Sequence, residues 1–210
     1  MDVLTRIFEA KREALARRKA EAPLDEVKRR AVNAPAVRPF HAALEDSSHR
    51  PSLIAEVKKA SPVKGVVRED FNAVEIARAY REAGADCLSV LTDVEFFQGH
   101  PDYLAQCREE SGLPVLRKDF TVDEYDVWQS RVLGADAVLL IVAGLDTSQL
   151  RDYREVAEGL GMDALVEAHS LEEAEAALET GATLVGVNNR DLTTFETDLA
   201  ATEKTVPKIA

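Results

Sequence analysis

The sequence contains little cysteine, and its two cysteines are not spaced as metal ligands. Only Cys87 and Cys107 occur in 210 residues, whereas small secreted domains stabilised by disulfides carry several cysteines over a shorter chain. We therefore expect two free thiols, no metal site built on cysteine, and a reducing, cytoplasmic environment.

Long apolar runs and an excess of positive charge are also missing. No segment reaches the ~20 apolar residues that a transmembrane helix needs, and charged residues interrupt the N-terminal stretch 1–19, unlike a secretory signal. Asp and Glu outnumber Lys and Arg by 38 to 26, which gives a formal net charge of -12. The chain should repel nucleic acid and acidic membranes. We expect a soluble protein in which local cations bind an anionic small molecule.

Short runs rich in Val, Ile and Leu alternate with charged segments of helical period from residue 52 onward. This alternation indicates βα units on a parallel sheet. The predicted strands lie near 52–58, 86–92, 114–118, 136–142, 163–168 and 183–188. A Gly-Ala-Asp or Gly-Ala-Thr triplet recurs at 84–86, 134–136 and 181–183, as in a weak structural repeat. No glycine-rich loop follows the first strand, so a βα-barrel is favoured over a dinucleotide-binding sheet.

Residues 1–50 differ in kind from the rest of the chain. An amphipathic charged segment covers 2–21, in which Val3, Leu4, Ile7 and Phe8 can share one helical face. A less regular segment follows over 23–44. We interpret 1–50 as an N-terminal helical extension packed on the barrel, and 51–210 as the barrel itself.

Polar residues cluster where the predicted strands end. Strand alternation places Glu56 and Lys58 on one face of the first strand. The same count places Lys118, Glu167 and Asn188 on the corresponding face of later strands. Each residue alone is more often solvated or simply paired. Because βα-barrels carry their sites at the C-terminal ends of the strands, we predict that all five share one site.

Other candidates have simpler interpretations. Asp123 and Asp146 stand where helices begin and are interpreted as caps, with His100 as the neighbour of a helix start. His169 is interpreted as a loop residue outside the chemistry. Phe97, Phe120 and Phe195 follow strand ends and are candidates for the wall of an aromatic-binding pocket.

Six stretches resemble, in order, the strand-end motifs of the indole-3-glycerol-phosphate synthase family: IAEVKKASPVKG, SVLTDVEFFQG, LPVLRKDF, GADAVLLIVA, LVEAHS and VGVNNRDL. The resemblance implies a TIM (βα)8 barrel, of which about six βα units are present. It also implies a carboxy-lyase of tryptophan biosynthesis. That enzyme closes 1-(2-carboxyphenylamino)-1-deoxyribulose 5-phosphate to indole-3-glycerol phosphate, with loss of carbon dioxide and water and without metal or organic cofactor.

The resemblance also implies roles for the strand-end residues. Lys118 would be the general acid at the ketone oxygen, and Glu167 the general base in the dehydration. Lys58 would position the substrate carboxylate beside Glu56, and Asn188 would orient the substrate. The implied substrate-binding residues are Arg190, Ser61, Phe97, Phe120 and Phe195.

The sequence departs from the family pattern at Val63, where a second serine is usual, and it stops before the family's last two strands. We therefore expect the 210-residue chain to be inactive unless it is complemented. Two alternatives stay open: a phosphoribosylanthranilate isomerase, whose strand ends carry Cys and Asp, and a non-catalytic barrel fragment. Other tryptophan-pathway enzymes are the protein partners to expect.

Overall fold

A parallel six-stranded sheet organises the computed structural model, which describes residues 3–190 and 197–209. The strand order is β1-β4-β5-β6-β7-β8. The sheet consists of β1 (Ile54–Val57), β4 (Cys87–Leu91), β5 (Val115–Lys118), β6 (Ala137–Ile141), β7 (Asp163–Ala168) and β8 (Val185–Val187). All six predicted strands are confirmed. An antiparallel hairpin of β2 (Ala60–Ser61) and β3 (Gly65–Val66) lies in the loop after β1 and was not predicted.

Helices connect the strands of the sheet and precede its first strand. Those before the sheet are α1 (Val3–Glu21), α2 (Leu24–Val32) and α3 (Phe40–Glu45). Those between or after its strands are α4 (Ala73–Glu82), α5 (Pro101–Ser111), α6 (Glu124–Val132), α7 (Thr147–Gly159), α8 (Leu171–Glu179) and α9 (Ala200–Ile209). A 3-10 turn, Val142–Gly144, follows β6. The segment 23–44 is therefore more helical than its irregular pattern indicates.

The two faces of the sheet bury different sets of side chains. One face packs against the surrounding helices through Ala55, Val57, Leu88, Val90, Val115, Val138, Leu140, Ala164 and Val166. The other face forms a second core with Ile54, Cys87, Leu116, Ala137, Leu139, Ile141, Leu165 and Leu184. Because side chains alternate along a strand, the second set continues at the strand ends into the polar residues that the sequence singled out.

The Asp of the Gly-Ala-Asp repeat stands just before a strand, and its carboxylate accepts hydrogen bonds from the backbone of neighbouring segments. Asp136 is fully buried. Its carboxylate accepts hydrogen bonds from the backbone N–H of Val115 at 2.9 Å and of Arg38 at 2.7 Å. Arg108 completes the arrangement with an ion pair of 2.8 Å. Asp86 makes the equivalent bond to the Leu53 N–H at 2.7 Å. The repeat is therefore structural.

The N-terminal helices pack against both ends of the inner core. Phe8 of α1 lies against Gly144, where a Cβ atom would fall 1.9 Å from the Phe8 ring. At the other end, the carbonyl of the buried Phe40 accepts a hydrogen bond from Cys87 Sγ at 3.5 Å. The division at residue 50 stays a prediction, since these helices and the sheet share one core.

Cys87 and Cys107 are free, as predicted, and both are buried. Burial raises the pKa of both thiols to about 12. Within residues 3–190 and 197–209, we find no helix with the length and hydropathy that crossing a bilayer requires.

Replacing Asp136 with alanine should unfold the protein more easily. The change leaves the Arg108 guanidinium without its buried partner, and breaking such a pair costs about 3–5 kcal/mol. The free energy of unfolding in urea measures the effect. Asp152→Ala on the exposed face of α7 is the matched control, expected within about 0.5 kcal/mol of the wild type. A loss below about 1 kcal/mol for Asp136→Ala would contradict the structural role.

Candidate active site

A cavity of about 510 Å³ opens at the C-terminal ends of the strands. Every predicted site residue that the structure describes lines it: Glu56, Lys58, Ser61, Phe97, Lys118, Phe120, Glu167, Asn188 and Arg190. Phe195 lies outside the described residues. The structure thus brings the predicted residues together from five strands or strand-end loops of the chain.

Glu167 is a largely enclosed carboxylate of the cavity, with 13% of its side chain exposed. Lys118 Nζ donates a hydrogen bond to its Oε2 atom at 2.7 Å, and Asn188 Nδ2 donates to its Oε1 atom at 3.1 Å. Burial alone would raise the pKa of Glu167. The charge of Lys118, with the nearby His169 ring and the hydrogen bonds from Lys118 and Asn188, outweighs burial and holds that pKa well below its usual range. The carboxylate is therefore ionised at neutral pH.

A second ion pair faces the same cavity from β1. Lys58 Nζ bonds the Glu56 carboxylate, and both side chains are about one-third exposed. Two lysines and two carboxylates are thus available to one bound molecule, either to bind its anionic groups or to transfer protons. In the described part of the chain, no group of three or more His, Cys, Asp or Glu is placed to hold a metal ion.

Asn188 is fixed by two hydrogen bonds in opposite directions. Its amide nitrogen donates to Glu167, while its Oδ1 atom accepts from the backbone N–H of Arg190 at 2.9 Å. Arg190 in turn forms a backbone bridge with Thr197. At the other side of the cavity, the buried Ser61 hydroxyl accepts from the Lys64 N–H at 3.3 Å.

One wall of the cavity is apolar. The rings of Phe97 and Phe120 lie 5.9 Å apart, and Phe8 meets Phe120 edge-on at 5.7 Å. Helix α1 adds Val3, Leu4 and Ile7 to the lining. A planar aromatic group bound here would contact apolar side chains on one side and charged groups on the other.

Comparison with known protein families places the chain in one of them. The family model described as Indole-3-glycerol phosphate synthase matches residues 4–210. The chain belongs to the indole-3-glycerol phosphate synthase family. Membership supports an enzyme of tryptophan biosynthesis at the level of the family.

Solved structures resemble this family member in fold. An N-acetylmannosamine-6-phosphate 2-epimerase from Clostridium perfringens is 15% identical with a TM-score of 0.59, over 84% of this chain and 80% of that chain. A thiamine phosphate pyrophosphorylase from Pyrococcus furiosus is 20% identical with a TM-score of 0.47, over 65% and 64%. The first likeness, together with the parallel sheet, shows an α/β fold of the TIM-barrel type.

Sequence reasoning missed a charged network behind the apolar wall of this indole-3-glycerol phosphate synthase family member. Lys11 Nζ contacts Asp93 Oδ2 at 2.7 Å and Asp119 Oδ1 at 2.6 Å. Arg117 Nη2 and the Thr92 hydroxyl donate to Asp119 Oδ2 at 3.0 and 2.6 Å. We call these five residues the Lys11 network. Thr92, Asp93 and Asp119 stand in the strand-end motifs, but a partner 108 residues away leaves no local signal.

The Lys11 network positions the aromatic wall. Asp93 Oδ1 accepts from the Phe97 N–H at 3.1 Å, and Asp119 Oδ1 accepts from the Phe120 N–H at 2.8 Å. Burial would raise the pKa of Asp119, but the charges of Arg117 and Lys11 outweigh it and keep that pKa far below its usual range. Helix α1 is thereby joined by charge to the loops that carry Phe97 and Phe120.

The structure also places the residues that were interpreted as caps or loop residues. Asp123, Asp146 and His100 are helix N-caps, each accepting a hydrogen bond from a backbone N–H in its helix. His169 does follow β7 in a bend, as predicted. Its ring, however, lies against Glu167, with only 12% of the side chain exposed.

Replacing Lys11 with methionine should destabilise the protein by about 1.5–3 kcal/mol, since the change removes charge-assisted hydrogen bonds to two buried carboxylates. Thermal or urea unfolding measures the loss. Lys19→Met is the matched control on the same helix, because the Lys19–Asp123 pair is 40% and 28% exposed and such pairs contribute less than about 1 kcal/mol. Equal effects of the two substitutions would show that the Lys11 network does not anchor α1.

Proposed function

We propose that this protein catalyses the indole-3-glycerol-phosphate synthase reaction, in which 1-(2-carboxyphenylamino)-1-deoxyribulose 5-phosphate closes to indole-3-glycerol phosphate. The observation that carries the proposal is the Lys118–Glu167 pair, held at 2.7 Å inside a cavity with one apolar wall. It combines an acid and a base beside a surface suited to an aromatic ring. Family membership supports the same assignment.

The cavity suits the parts of this substrate. Its volume of about 510 Å³ lies within the range of small-molecule sites. Phe97 and Phe120 would contact the anthranilate ring. Lys58 is suited to the substrate carboxylate, and Arg190 to a carboxylate or phosphate oxygen. Ser61 would lie at the phosphate end.

Lys118 would act as the general acid in ring closure. Its ammonium group would donate a proton to the ketone oxygen as the ring carbon attacks, so that no isolated alkoxide forms. Carbon dioxide would then leave from the same ring carbon. To reach the ketone oxygen, Lys118 must give up part of its contact with Glu167.

Glu167 would act as the general base in the dehydration that follows. While paired with Lys118 it is a weak base, because the neighbouring cation favours its ionised form. Engagement of Lys118 by the substrate would weaken that pairing and raise the pKa of Glu167. Binding of the substrate would thus prepare the carboxylate to accept a proton, with Asn188 holding its other oxygen.

Replacing Glu167 with glutamine should lower kcat about 10²–10⁴-fold, since the shape is kept while the proton acceptor is lost. The assay follows formation of the indole product by absorbance or fluorescence, using the natural protein that contains residues 1–210. Glu175→Gln, on the exposed face of α8, is the matched control and should keep normal turnover.

Two results would count against the proposal. Absence of any indole product from the natural protein would refute the function, and near-normal turnover by Glu167→Gln would remove Glu167 from the chemistry. The same assay applied to residues 1–210 alone tests the expectation that this stretch has no activity unless it is complemented.

A further inference from the structure

His169 lies behind the cavity, outside the set of residues that line it. Its ring is placed between two carboxylates. Nδ1 is 3.2 Å from Glu173 Oε2, and Nε2 is 3.5 Å from Glu167 Oε1. The Nε2 atom is buried and has no hydrogen bond of ordinary geometry, so its nearest charged group is the carboxylate of Glu167. The ring therefore interacts with Glu167 through charge and not through a well-formed hydrogen bond.

Both carboxylates favour the charged form of the ring. Burial alone would lower the pKa of His169, but the nearby Glu167 carboxylate, with the hydrogen bond and charge of Glu173, outweighs it and raises the pKa to about 9. The charged groups involved come from β7 and α8, and Lys118 of β5 acts from the far side of Glu167. His169 is therefore an imidazolium at neutral pH.

The geometry around Glu167 is asymmetric. Lys118 contacts Oε2, whereas Asn188 and His169 both face Oε1. We propose that His169 is a positioning residue for the proposed general base: held by Glu173, it fixes Oε1 of Glu167 and leaves Oε2 to exchange between Lys118 and the substrate. The inference rests on the proposed function and adds a residue outside the cavity to it.

This arrangement explains how Glu167 keeps its place when Lys118 turns to the substrate. With Lys118 engaged elsewhere, an unsupported buried carboxylate would be costly and free to rotate. Asn188 supplies one hydrogen bond to Oε1, and the imidazolium supplies a balancing positive charge. The Oε2 atom then points to the substrate as the atom that accepts the proton.

The ring of His169 is not needed to begin helix α8. Ser170 is the N-cap, and its hydroxyl accepts from the Glu173 N–H. The Glu173 carboxylate in turn accepts from the backbone N–H of His169 at 2.7 Å. Neither bond uses the ring of His169. A glutamine at position 169 therefore removes the ring while the N-cap of α8 keeps its hydrogen bonds.

The experiment measures kcat and KM against pH for His169→Gln in the natural protein. Loss of the positive charge should raise the pKa of Glu167, which moves the acidic limb of the kcat profile to higher pH. Misplacement of the carboxylate should lower kcat about 10–100-fold near neutral pH, with KM changed less than about threefold. Glu173→Gln keeps the acceptor for the His169 N–H and should give the same shift to a smaller extent.

His41→Gln is the matched control, because the half-buried His41 of α3 also faces a carboxylate, that of the exposed Glu45, at 3.8 Å. It should leave the profile unchanged. A nitrogen NMR titration of the ring provides a readout independent of turnover, and His169 should lose its proton near pH 9.

Normal titration of the ring near pH 6.5, or an unmoved acidic limb in His169→Gln, would overturn the inference. A uniform fall in kcat at every pH with lower thermal stability would also overturn it, since it indicates a merely structural ring. If the wild-type protein formed no indole product while the ring still titrated near pH 9, the proposed function would fail. The positioning of Glu167 by His169 would still be supported.

Discussion

The contact between Lys118 and Glu167 joins two strands that are not neighbours in the sheet. Adjacent strands lie about 4.8 Å apart, so β5 and β7 are separated by about 10 Å with β6 between them. Only long side chains on the same face of both strands can meet across that gap, and the 2.7 Å contact shows that these do. The rest of the cavity is arranged around this pair, with Asn188 from the end of β8 on one side and the Glu56–Lys58 pair of β1 on the other.

Supporting this pair requires buried charge elsewhere in the protein. The Lys11 network holds the aromatic wall from the side of α1, and His169 with Glu173 lies behind the carboxylate. Buried charges are stable only where partners are close and well placed, and each of these groups has such partners within the described residues. The N-terminal helix is thus part of the cavity by contact and by electrostatics, although it precedes the sheet in sequence.

Patterns of short range predicted much of this structure. The apolar runs gave the six strands, and the period of two placed Glu56, Lys58, Lys118, Glu167 and Asn188 on one face. These properties depend on neighbouring residues in the sequence, which is why they could be predicted. Arg117, which alternation places on the face of β5 opposite to Lys118, is buried between β5 and α6, where it donates to Ser130 Oγ at 3.0 Å.

The features that the sequence did not predict depend on contacts between distant segments. The pairing of Lys11 with Asp119 spans 108 residues, and helices α2 and α3 are stabilised by packing that their irregular pattern does not reveal. His169 was interpreted as a loop residue because its loop position was visible, whereas its burial between two carboxylates was not. The hairpin of β2 and β3 is too short for a periodic signal.

A carbon NMR titration of the Glu167 carboxylate, compared between the wild type and Lys118→Met, examines the coupling on which the site depends. If the charge of Lys118 controls the ionisation of Glu167, the pKa of Glu167 is far below its usual range in the wild type and rises markedly in Lys118→Met. An unchanged titration in the variant would mean that the pair does not govern the carboxylate, and the account of acid and base in this cavity would fail.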